Sequence, residues 1–569
     1  AGRGIAAGAR IAVLAEHRAP LLLALLAAQL ADACFIPLDP TFPVERLGMI
    51  LDDCRPQLVL HDYRNGDHAA LAGQATAAIE ALLEQDSGVA PPGTGDMARA
   101  PGALAYILFT SGSTGRPKGV QISRGAFANA LASFAVAPGL DSRDVLGAAT
   151  TVSFDIAMLE LFLPLTVGAR LVMIDKQVAR DGMRLAALLA ARGVTVFQGT
   201  PSTWKLLCAA DARLALRAWC GGEQLPQALC DDLLARFAAL WNLYGPTETT
   251  IWSAVQRQQR GQAVGAGSAV ANTTIFLLDR HGQLAPDGAI GEICIGGDGV
   301  MRGYLDRPEL SAAAFLPDLL RQHGALAYRT GDLGTWRADG TLAVMGRRDR
   351  QLKLDGFRIE PGDIEAALRA LDGVADAAVT LHAGGGAPLL VGYVVLAGVD
   401  ADGQPQALQR LAGQLSGKLP RYMIPGRFMA LPALPLTLNG KLDQRALPAP
   451  DWPAQQAPSR QPEGALEQVV LQAWQQAFGR QDIGLDDDFF AIGGHSFIAT
   501  RIHAQLARVL RGKVPLSQIF EASTVARLAA AIVAHEGAAG EAMRLAQATL
   551  AVQAMTPEAR AALRARAQR

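Results

Sequence analysis

The sequence predicts three folded parts in series: a large α/β core, a smaller α+β subdomain and a small all-α bundle. Short β-branched and aliphatic runs alternate with Ala- and Leu-rich helical stretches from Ile11 to about Gly346, which is typical of a layered α/β core. A helix and two strands, the strands joined by a Gly-rich turn, follow within residues 350–450. From Leu466 to about His535, apolar residues recur at helical spacing and predict the bundle.

The composition of the 569-residue chain excludes several classes of protein. Lysine and arginine number 52 against 53 aspartate and glutamate, so no overall positive field favours nucleic acid or an anionic membrane. The most apolar stretch, residues 20–30, is too short to cross a bilayer. The six cysteines are scattered without a Cys-x-x-Cys pair, which disfavours a zinc site and a disulfide framework. We therefore expect a cytoplasmic protein without nucleic-acid or membrane partners.

Six runs in the core predict strands, at residues 11–14, 58–60, 105–110, 170–174, 194–198 and 274–278. The third run leads into a loop dense in Gly, Ser, Thr and Lys, a composition whose N–H groups, hydroxyls and ammonium can wrap phosphates. The candidate phosphate-binding residues are Thr110, Ser111, Gly112, Ser113, Thr114, Gly115 and Lys118. The spacing is not that of a Walker A loop, and a Gly/Ser loop alone is more often a surface turn.

The clearest boundary in the chain is a linker predicted at residues 448–463, which are rich in Pro, Gln, Ala and Ser and lack apolar periodicity. In the bundle beyond it, Ser496 follows Gly-Gly-His at the start of a predicted helix, where an isolated serine would be read as an N-cap. Residues 536–569 are Ala-rich, helical in pattern and basic at their end. We expect a solvated tail or an inter-module linker there, with a docking helix for another module as the alternative.

Eight short motifs then occur in a fixed order: FIPLDP at 35–40, the loop at 110–119, Phe-Asp at 154–155, NLYGPTE at 242–248, GEICIG at 291–296, YRTGD at 328–332, GRRD at 346–349 and NGK at 439–441. With them the sequence resembles the adenylate-forming enzymes, and specifically the amino-acid-activating adenylation domains of non-ribosomal peptide synthetases. The resemblance implies an adenylation core at 1–348, its carboxyl-terminal subdomain at 349–447 and a four-helix carrier domain at 464–535. It also implies, as does the missing initiator methionine, that the amino end of the core is truncated.

The resemblance assigns a site for ATP. Activation of a carboxylic acid requires that the triphosphate be held and neutralised while the carboxylate meets the α-phosphate in line. Glu248 would hold Mg²⁺, a hard cation that prefers oxygen ligands and phosphates. Asp332 would accept both ribose hydroxyls with help from Arg347, and Tyr244 would stack on adenine. The remaining nucleotide-binding positions are Gly222, Glu223, Asn242, Gly245 and Thr247.

The resemblance also assigns a hinge residue and a catalytic lysine. Asp349 falls where the family places a hinge, so that two positions of the carboxyl-terminal subdomain would serve two successive reactions. Lys441 would bridge the substrate carboxylate and the nucleotide oxygens, lowering the repulsion between the two anions in the first half-reaction. Taken alone, a lysine after Asn-Gly is more often an exposed turn residue.

The amino-acid pocket implied by the resemblance is formed, together with Lys441, by Asp155, Ile156, Leu159, Gln198, Trp219, Gly221, Leu243, Ile251 and Trp252. Asp155 would bind the α-amino group. The other positions are mostly bulky and leave little volume, so we expect glycine as the substrate and alanine as second choice. Trp219 departs from the family's glycine-type pocket, where a smaller aliphatic residue is usual. The alternative is that Trp219 and Trp252 only pack the core.

In the carrier domain the resemblance makes Ser496 the attachment site of 4′-phosphopantetheine, whose thiol accepts the activated aminoacyl group. The implied partners are a small amino acid, a phosphopantetheinyl transferase and neighbouring condensation or release domains, and the need for a small activator protein stays open. Two other classes compete with this assignment: a free-standing acyl- or aryl-coenzyme A ligase, and a binding protein with a degenerate nucleotide fold. Asp155 and the fused carrier domain disfavour the first, and the intact motifs disfavour the second.

Overall fold

The structure is a computed structural model that describes residues 5–84, 100–112, 116–321, 324–354, 356–382, 388–397, 403–436, 442–450, 460, 462–479, 481–489, 492, 494, 496–510, 514–535 and 540–555. The chain divides into two compact units. The first comprises Ala1–Ala179, Arg184–Asp372 and Gly413–Ile424, and the second comprises Arg180–Met183, Gly373–Ala412 and Pro425–Arg569. Among the residues described, no helix has the length and apolar character needed to cross a membrane.

The strands are β1 (Arg10–Leu14), β2 (Cys34–Leu38), β3 (Leu58–His61), β4 (Thr76–Ala78), β5 (Leu104–Thr110), β6 (Lys118–Ser123), β7 (Val145–Ala148), β8 (Arg170–Met173), β9 (Val196–Gly199), β10 (Leu214–Gly221), β11 (Phe237–Tyr244), β12 (Ala254–Arg257), β13 (Ser268–Ala269), β14 (Thr273–Leu278), β15 (Gly291–Gly297), β16 (Gly303–Tyr304), β17 (Phe315–Pro317), β18 (Leu326–Trp336), β19 (Leu342–Arg347), β20 (Leu352–Leu354), β21 (Phe357–Ile359), β22 (Val374–His382), β23 (Leu389–Leu396) and β24 (Arg427–Ala430).

The helices are α1 (Ala19–Leu30), α2 (Val44–Cys54), α3 (Ile79–Glu84), α4 (Arg124–Phe134), α5 (Ile156–Val167), α6 (Lys176–Ala179), α7 (Gly182–Ala191), α8 (Pro201–Ala209), α9 (Gln227–Arg236), α10 (Pro308–Ala314), α11 (Pro361–Arg369), α12 (Gln404–Ser416), α13 (Ala465–Phe478), α14 (Ser496–Val509), α15 (Leu516–Glu521), α16 (Val525–Ala534) and α17 (Glu541–Ala554).

Two seven-stranded sheets dominate the first unit, with the strand orders β16-β6-β5-β2-β1-β3-β4 and β13-β12-β11-β10-β9-β7-β8. In each sheet the strands run parallel except at one edge, where β6 and β16 of the first sheet and β12 and β13 of the second are antiparallel to their neighbours. Parallel strands are buried on both faces, which explains why β1 and β2 read as almost continuous apolar runs. An antiparallel sheet of β14, β15, β17, β18 and β19 and the hairpin β20–β21 complete the unit.

One apolar core cluster joins the two large sheets through α4 and α5. Stacked and edge-on aromatic pairs connect Phe35, Tyr106, Phe127 and Phe162 at its centre. Helix α5 is apolar on nearly every face and is buried from Ile156 to Pro164, as expected of a helix inside a core. The helix therefore fixes the residues at its amino end in a rigid setting.

The second unit contains a small sheet of order β22-β23-β24 and the helical bundle α13–α17. The bundle core is built on Trp474, which contacts Phe489 at 5.5 Å between ring centroids. The predicted α/β core, α+β subdomain and all-α bundle are thus confirmed, and the predicted strands match β1, β3, β5, β8, β9 and β14 within two residues. Strand β24 was not expected from the sequence.

The bundle differs from expectation at its carboxyl-terminal end. Residues 536–569 were expected to be a solvated tail or linker after a domain ending at His535, yet α17 packs into the bundle core. Its Ala546 is fully buried and Ala542 is nearly so. The small side chains of an Ala-rich helix allow close approach to α13, which the composition alone did not reveal.

Candidate functional site

The candidate site lies where β10 and β11 end. These strands are parallel neighbours, so Gly221 and Tyr244 leave the sheet at the same edge. Ligands of open parallel sheets bind outside the carboxyl ends of the strands. Gly245, directly after β11, permits a close crossing of the backbone, because an ideal Cβ there would lie 2.6 Å from Cα of Trp252.

The two side chains expected to bind ribose lie together with Tyr244, which is expected to stack on adenine. Asp332 is 3% exposed and pairs in register with Arg347 across β18 and β19. Nη1 of Arg347 lies 2.5 Å from Oδ1 of Asp332, and the Tyr244 hydroxyl donates to Oδ2 at 2.7 Å. Arg347 also binds Asp349 at 2.7 Å, which holds the pKa of that carboxyl below its usual range against the effect of burial. The structure thus brings together three of the predicted nucleotide-binding residues and the predicted hinge residue.

The hairpin β20–β21 and helix α11 each make a hydrogen bond to the phosphate loop. The Ser111 hydroxyl donates to the backbone carbonyl of Arg358 at 3.0 Å, and the N–H of Gly112 donates to Oδ2 of Asp363 at 3.1 Å. Thr110 has a buried hydroxyl with no hydrogen-bond partner among the described residues. Ser113, Thr114 and Gly115 lie outside the described residues, as does Lys441.

Glu248, expected to hold Mg²⁺, is completely buried within a cluster of polar groups. Its carboxylate lies 2.8 Å from Nη1 of Arg358 and 3.5 Å from Nζ of Lys118, and it accepts a hydrogen bond of 2.8 Å from the Tyr304 hydroxyl. Burial alone would raise the pKa of Glu248, but the two cations hold it well below its usual range. The cluster places two positive charges and one carboxylate beside the phosphate loop.

Asp155 is the candidate partner for a substrate cation. It is the N-cap residue of α5, yet its side chain makes no capping hydrogen bond, and its Oδ2 is buried without a partner among the described residues. Burial raises the pKa of Asp155 to about 7, although hydrogen bonds from Thr247 and from the backbone of Ile156 oppose the rise. An acceptor that is buried and unsatisfied is costly to leave unpaired, which is a feature expected of a ligand-binding group.

The remaining predicted pocket residues lie on neighbouring elements. Gln198 of β9 pairs in register with Trp219 of β10, and Gly221 pairs with Leu243 of β11. Side chains that share a register in parallel strands share a face of the sheet. One apolar cluster contains Ile156, Leu159, Trp219, Leu243, Ile251 and Trp252. The predicted pocket positions therefore lie on one face of this sheet and in the apolar cluster packed there.

Trp252 closes the space above Gly221. An ideal Cβ at Gly221 would lie 2.6 Å from Cη2 of Trp252 and 2.7 Å from the carbonyl oxygen of Leu243. The indole Nε1 donates to Oε1 of Gln198 at 3.1 Å. Trp219 is fully buried and meets Phe134 edge-on at 6.0 Å, so it packs the core.

Two of the predicted nucleotide-binding positions make hydrogen bonds to other residues of the first unit. The side-chain amide of Asn242 donates to the carbonyl of Gly265 at 2.8 Å, and Ser202 donates to Glu223 at 3.0 Å. Gly222 has a φ of +85°, a conformation that glycine adopts without strain.

The sequence did not single out the hairpin β20–β21, which lies over the site. Phe357 meets Phe154 edge-on at 4.8 Å, and Nζ of Lys353 lies 5.9 Å from the centre of the Tyr244 ring. Arg358 comes from the same hairpin, 110 residues from Glu248 along the chain. The ion pair between Arg358 and Glu248 joins residues far apart in the chain. Apart from their opposite charges, nothing in the sequence indicates that they meet.

In the carrier bundle, Ser496 is the first residue of α14. Described residues shortly before it make hydrogen bonds: Asp488 accepts one of 2.6 Å from the Ser523 hydroxyl, and the N–H of Gly494 donates to the carbonyl of Phe489 at 2.7 Å. Phe489 itself is completely buried. Asp488 and Phe489 of the Asp-Phe-Phe signature are thus tied to other described residues of the bundle.

Comparison with family models gives three matches along the chain. Residues 1–305 match the model of the AMP-binding enzyme, residues 363–441 match the AMP-binding enzyme C-terminal domain, and residues 468–532 match the phosphopantetheine attachment site. Their order agrees with the order of the core, subdomain and bundle.

Curated relatives are more than a third identical to the chain over the aligned residues. A dimodular nonribosomal peptide synthase of Bacillus subtilis (strain 168) is 38% identical over 528 residues, which are 91% of this chain and 22% of the relative. Enterobactin synthase component F of Escherichia coli (strain K12) is 37% identical over 564 residues, 94% of this chain and 42% of the relative. The chain therefore spans less than half the length of these relatives.

Solved structures match almost the whole chain. A holo protein with adenylation and PCP domains, bound to a vinylsulfonamide inhibitor, matches with a TM-score of 0.75 and 25% identity over 93% of this chain and 88% of that chain. A holo four-domain nonribosomal peptide synthetase bound to AMP and glycine matches with a TM-score of 0.58 and 35% identity over 94% of this chain and 40% of that chain.

Proposed function

The chain belongs to the AMP-binding enzyme family, and we propose that it activates a small amino acid with ATP and transfers the aminoacyl group to its own carrier domain within non-ribosomal peptide synthesis. The observation that carries the proposal is the buried carboxylate of Asp155 beside a nucleotide site, whose Oδ2 has no hydrogen-bond partner among the described residues, in a chain that also contains a carrier domain. A coenzyme A ligase for an aryl or fatty acid would have no ammonium to pair with that carboxylate.

The first half-reaction requires that negative charge be neutralised at the phosphates. Lys118 and Arg358 supply two positive charges at the phosphate loop, and Asp332 and Arg347 would position the ribose. Lys441 remains the proposed bridge between the amino-acid carboxylate and the nucleotide. Pyrophosphate is the leaving group, and an aminoacyl-adenylate results.

Glu248 fits the role of a Mg²⁺ ligand. No cluster of three or more His, Cys, Asp or Glu side chains suited to a metal occurs among the described residues. Mg²⁺ is usually held by one or two carboxylates together with substrate phosphates and water, and Glu248 offers such a single carboxylate. When bound, the ion would neutralise phosphate charge. In the ligand-free chain, Arg358 and Lys118 balance the carboxylate instead.

The second half-reaction takes place on the carrier domain. We propose Ser496 as the attachment site of 4′-phosphopantetheine, which a phosphopantetheinyl transferase would install and whose thiol accepts the aminoacyl group. The family matches at 363–441 and 468–532 fall within the proposed subdomain at 349–447 and the proposed carrier domain at 464–535. Neighbouring condensation or release domains would be the further partners.

Glycine is the proposed substrate and alanine the second choice. The position of Trp252 against Gly221 supports a small pocket, because even a Cβ on the pocket strand would collide with the indole. A structure 35% identical to the chain holds AMP and glycine, which also favours this choice. Steric exclusion of larger side chains follows from the close packing of these residues.

An ATP–pyrophosphate exchange assay over the full set of amino acids tests the proposal. We expect the highest specificity constant with glycine, a lower one with alanine, and values at least about 100-fold lower with leucine and phenylalanine, because large side chains cannot enter. Strong exchange with leucine or phenylalanine and none with glycine would contradict the assignment of a small amino-acid pocket. Exchange with aryl acids alone would favour the coenzyme A ligase class.

Amino-acid binding should depend on pH through Asp155. Its pKa is about 7 in the free chain, and only the carboxylate form pairs with the substrate ammonium. The KM for glycine should therefore rise as the pH falls below about 7, approaching tenfold per pH unit, and level off above it.

The profile is checked with two variants in the same exchange assay. Asp155→Asn should raise the KM at all pH values and flatten the profile. Glu160→Gln removes the other buried carboxyl with a pKa of about 7 in this region and should keep the slope. If the pH dependence of the KM disappeared in Glu160→Gln and persisted in Asp155→Asn, the titrating group would be Glu160 and the prediction for Asp155 would be wrong.

A further inference from the structure

A buried chain of hydrogen bonds runs from helix α5 to the tryptophan that closes the proposed pocket. It starts at Glu160, whose side chain is 1% exposed. Its Oε2 accepts the N–H groups of Ala149 and Thr150 at 3.0 Å each, and its Oε1 accepts the Thr150 hydroxyl at 2.6 Å and Nε2 of Gln198 at 3.1 Å. Oε1 of Gln198 in turn accepts Nε1 of Trp252 at 3.1 Å. Each hydrogen bond joins buried or partly buried groups.

The carboxylate of Glu160 fixes which way the amide of Gln198 points. The N–H groups of Ala149 and Thr150 can only donate to Glu160, and in its ionised form the carboxyl accepts without donating. The NH₂ of Gln198 must therefore face Glu160, which leaves its carbonyl oxygen facing the indole N–H. The opposite orientation would place two donors, the NH₂ of Gln198 and the N–H of Trp252, against each other in a buried setting, which is costly.

The position of Trp252 sets the free space at the proposed pocket. Its ring lies so close to Gly221 that an added Cβ would be 2.6 Å from Cη2. Trp252 also belongs to a cluster of buried apolar residues, whose mutual attraction is non-directional. The hydrogen bond to Gln198 is thus the directional contact that orients the ring.

We propose that Glu160 is a positioning residue for amino-acid selectivity, which orients the amide of Gln198 and thereby holds Trp252 where it excludes any side chain larger than that of glycine. The inference rests on the proposed amino-acid pocket. Glu160 touches no reacting atom in this scheme and acts through two other residues. Its neighbour Leu159, by contrast, is itself a pocket residue.

The test substitutes Glu160→Gln in the full chain. An amide at position 160 presents an NH₂ to a set of donors, and the arrangement that best relieves this conflict flips Gln198 and deprives Trp252 of its acceptor. We expect the ratio of specificity constants for alanine over glycine to rise about tenfold in the exchange assay, while the KM for ATP stays within about twofold. An unchanged ratio in a folded Glu160→Gln variant overturns the proposal.

A double-mutant cycle with Gln198→Met shows whether Glu160 acts through Gln198. Methionine has a similar volume and no hydrogen bond to either neighbour, so Gln198→Met alone should raise the alanine-to-glycine ratio by a similar factor. In its background, Glu160→Gln should have no further effect. A further increase of similar size in the alanine-to-glycine ratio would show that Glu160 acts independently of Gln198 and would overturn the proposal. If Glu160→Gln does not fold, an unchanged ratio in Gln198→Met overturns it as well.

Thr150→Val is the matched control. It removes a donor to the same oxygen of Glu160 but leaves the hydrogen bond to Gln198 in place, so it should lower thermal stability without changing the ratio. A changed ratio in this control would mean that any loss of stability near Glu160 alters selectivity. Such a result would contradict the proposed positioning of Trp252 through Gln198. Failure of the proposed function looks different, because the wild-type chain itself would then prefer a large amino acid or none.

Discussion

Ser496→Ala is expected to abolish loading of the carrier domain while ATP–pyrophosphate exchange stays within about twofold of the wild type, because exchange needs only the first half-reaction. Alanine lacks the hydroxyl that would carry phosphopantetheine, and it suits the first turn of α14. Intact mass after incubation with a phosphopantetheinyl transferase and coenzyme A would show an adduct on the wild type and none on the variant. An adduct that survives in Ser496→Ala would refute the assignment.

Two variants separate this effect from damage to the fold. Ser523→Ala removes the hydroxyl that binds Asp488 in the same bundle, so it should lower the melting temperature and keep the adduct. Lys441→Ala should do the reverse of Ser496→Ala, since Lys441 is proposed to serve only the first half-reaction. It should lose most exchange and still load a carrier when the aminoacyl-adenylate is supplied. Full exchange in Lys441→Ala would remove that residue from the mechanism.

The fold could be predicted from the sequence where the pattern is local. Parallel strands such as β1 and β5 are apolar runs between turns, and the bundle shows helical spacing around Trp474. Helix α17 could not be placed, because alanines at 542 and 546 look the same on a solvated helix as in a packed one. Only the surface they meet on α13 distinguishes the two cases.

The site could be predicted only as far as its motifs extend. Asp332 and Arg347 were assigned through the resemblance, and the register of β18 and β19 brings them together. Arg358 and Glu160 were missed, since each acts through a partner that is distant in sequence. Tertiary packing decides which carboxylate pairs with which cation. The spacing of residues in a single sequence does not contain that information.

Glu248→Gln is expected to lower both stability and exchange. The substitution leaves the buried cations Arg358 and Lys118 without their counter-charge, which we expect to reduce the free energy of unfolding by about 3 kcal/mol. Because the pKa of Glu248 lies below its usual range, its stabilising effect is present above the pKa of an unfolded glutamate. The difference between variant and wild type should therefore shrink as the pH falls below about 4. Exchange should fall about 100-fold or more, since the single carboxylate proposed for Mg²⁺ is gone.

A second substitution separates the two effects. In Glu248→Gln with Arg358→Met, the uncompensated guanidinium is replaced by an apolar side chain, so denaturant unfolding should show most of the lost stability restored. Exchange should stay low, because neither the carboxylate nor the cation returns. Glu292→Gln is the control: it removes another buried carboxylate with two arginine partners, Arg329 at 2.6 Å and Arg348 at 3.0 Å, and should cost stability while exchange persists. If the double variant regained exchange together with stability, Glu248 would contribute to folding alone, and the role of a metal ligand would have to be assigned elsewhere.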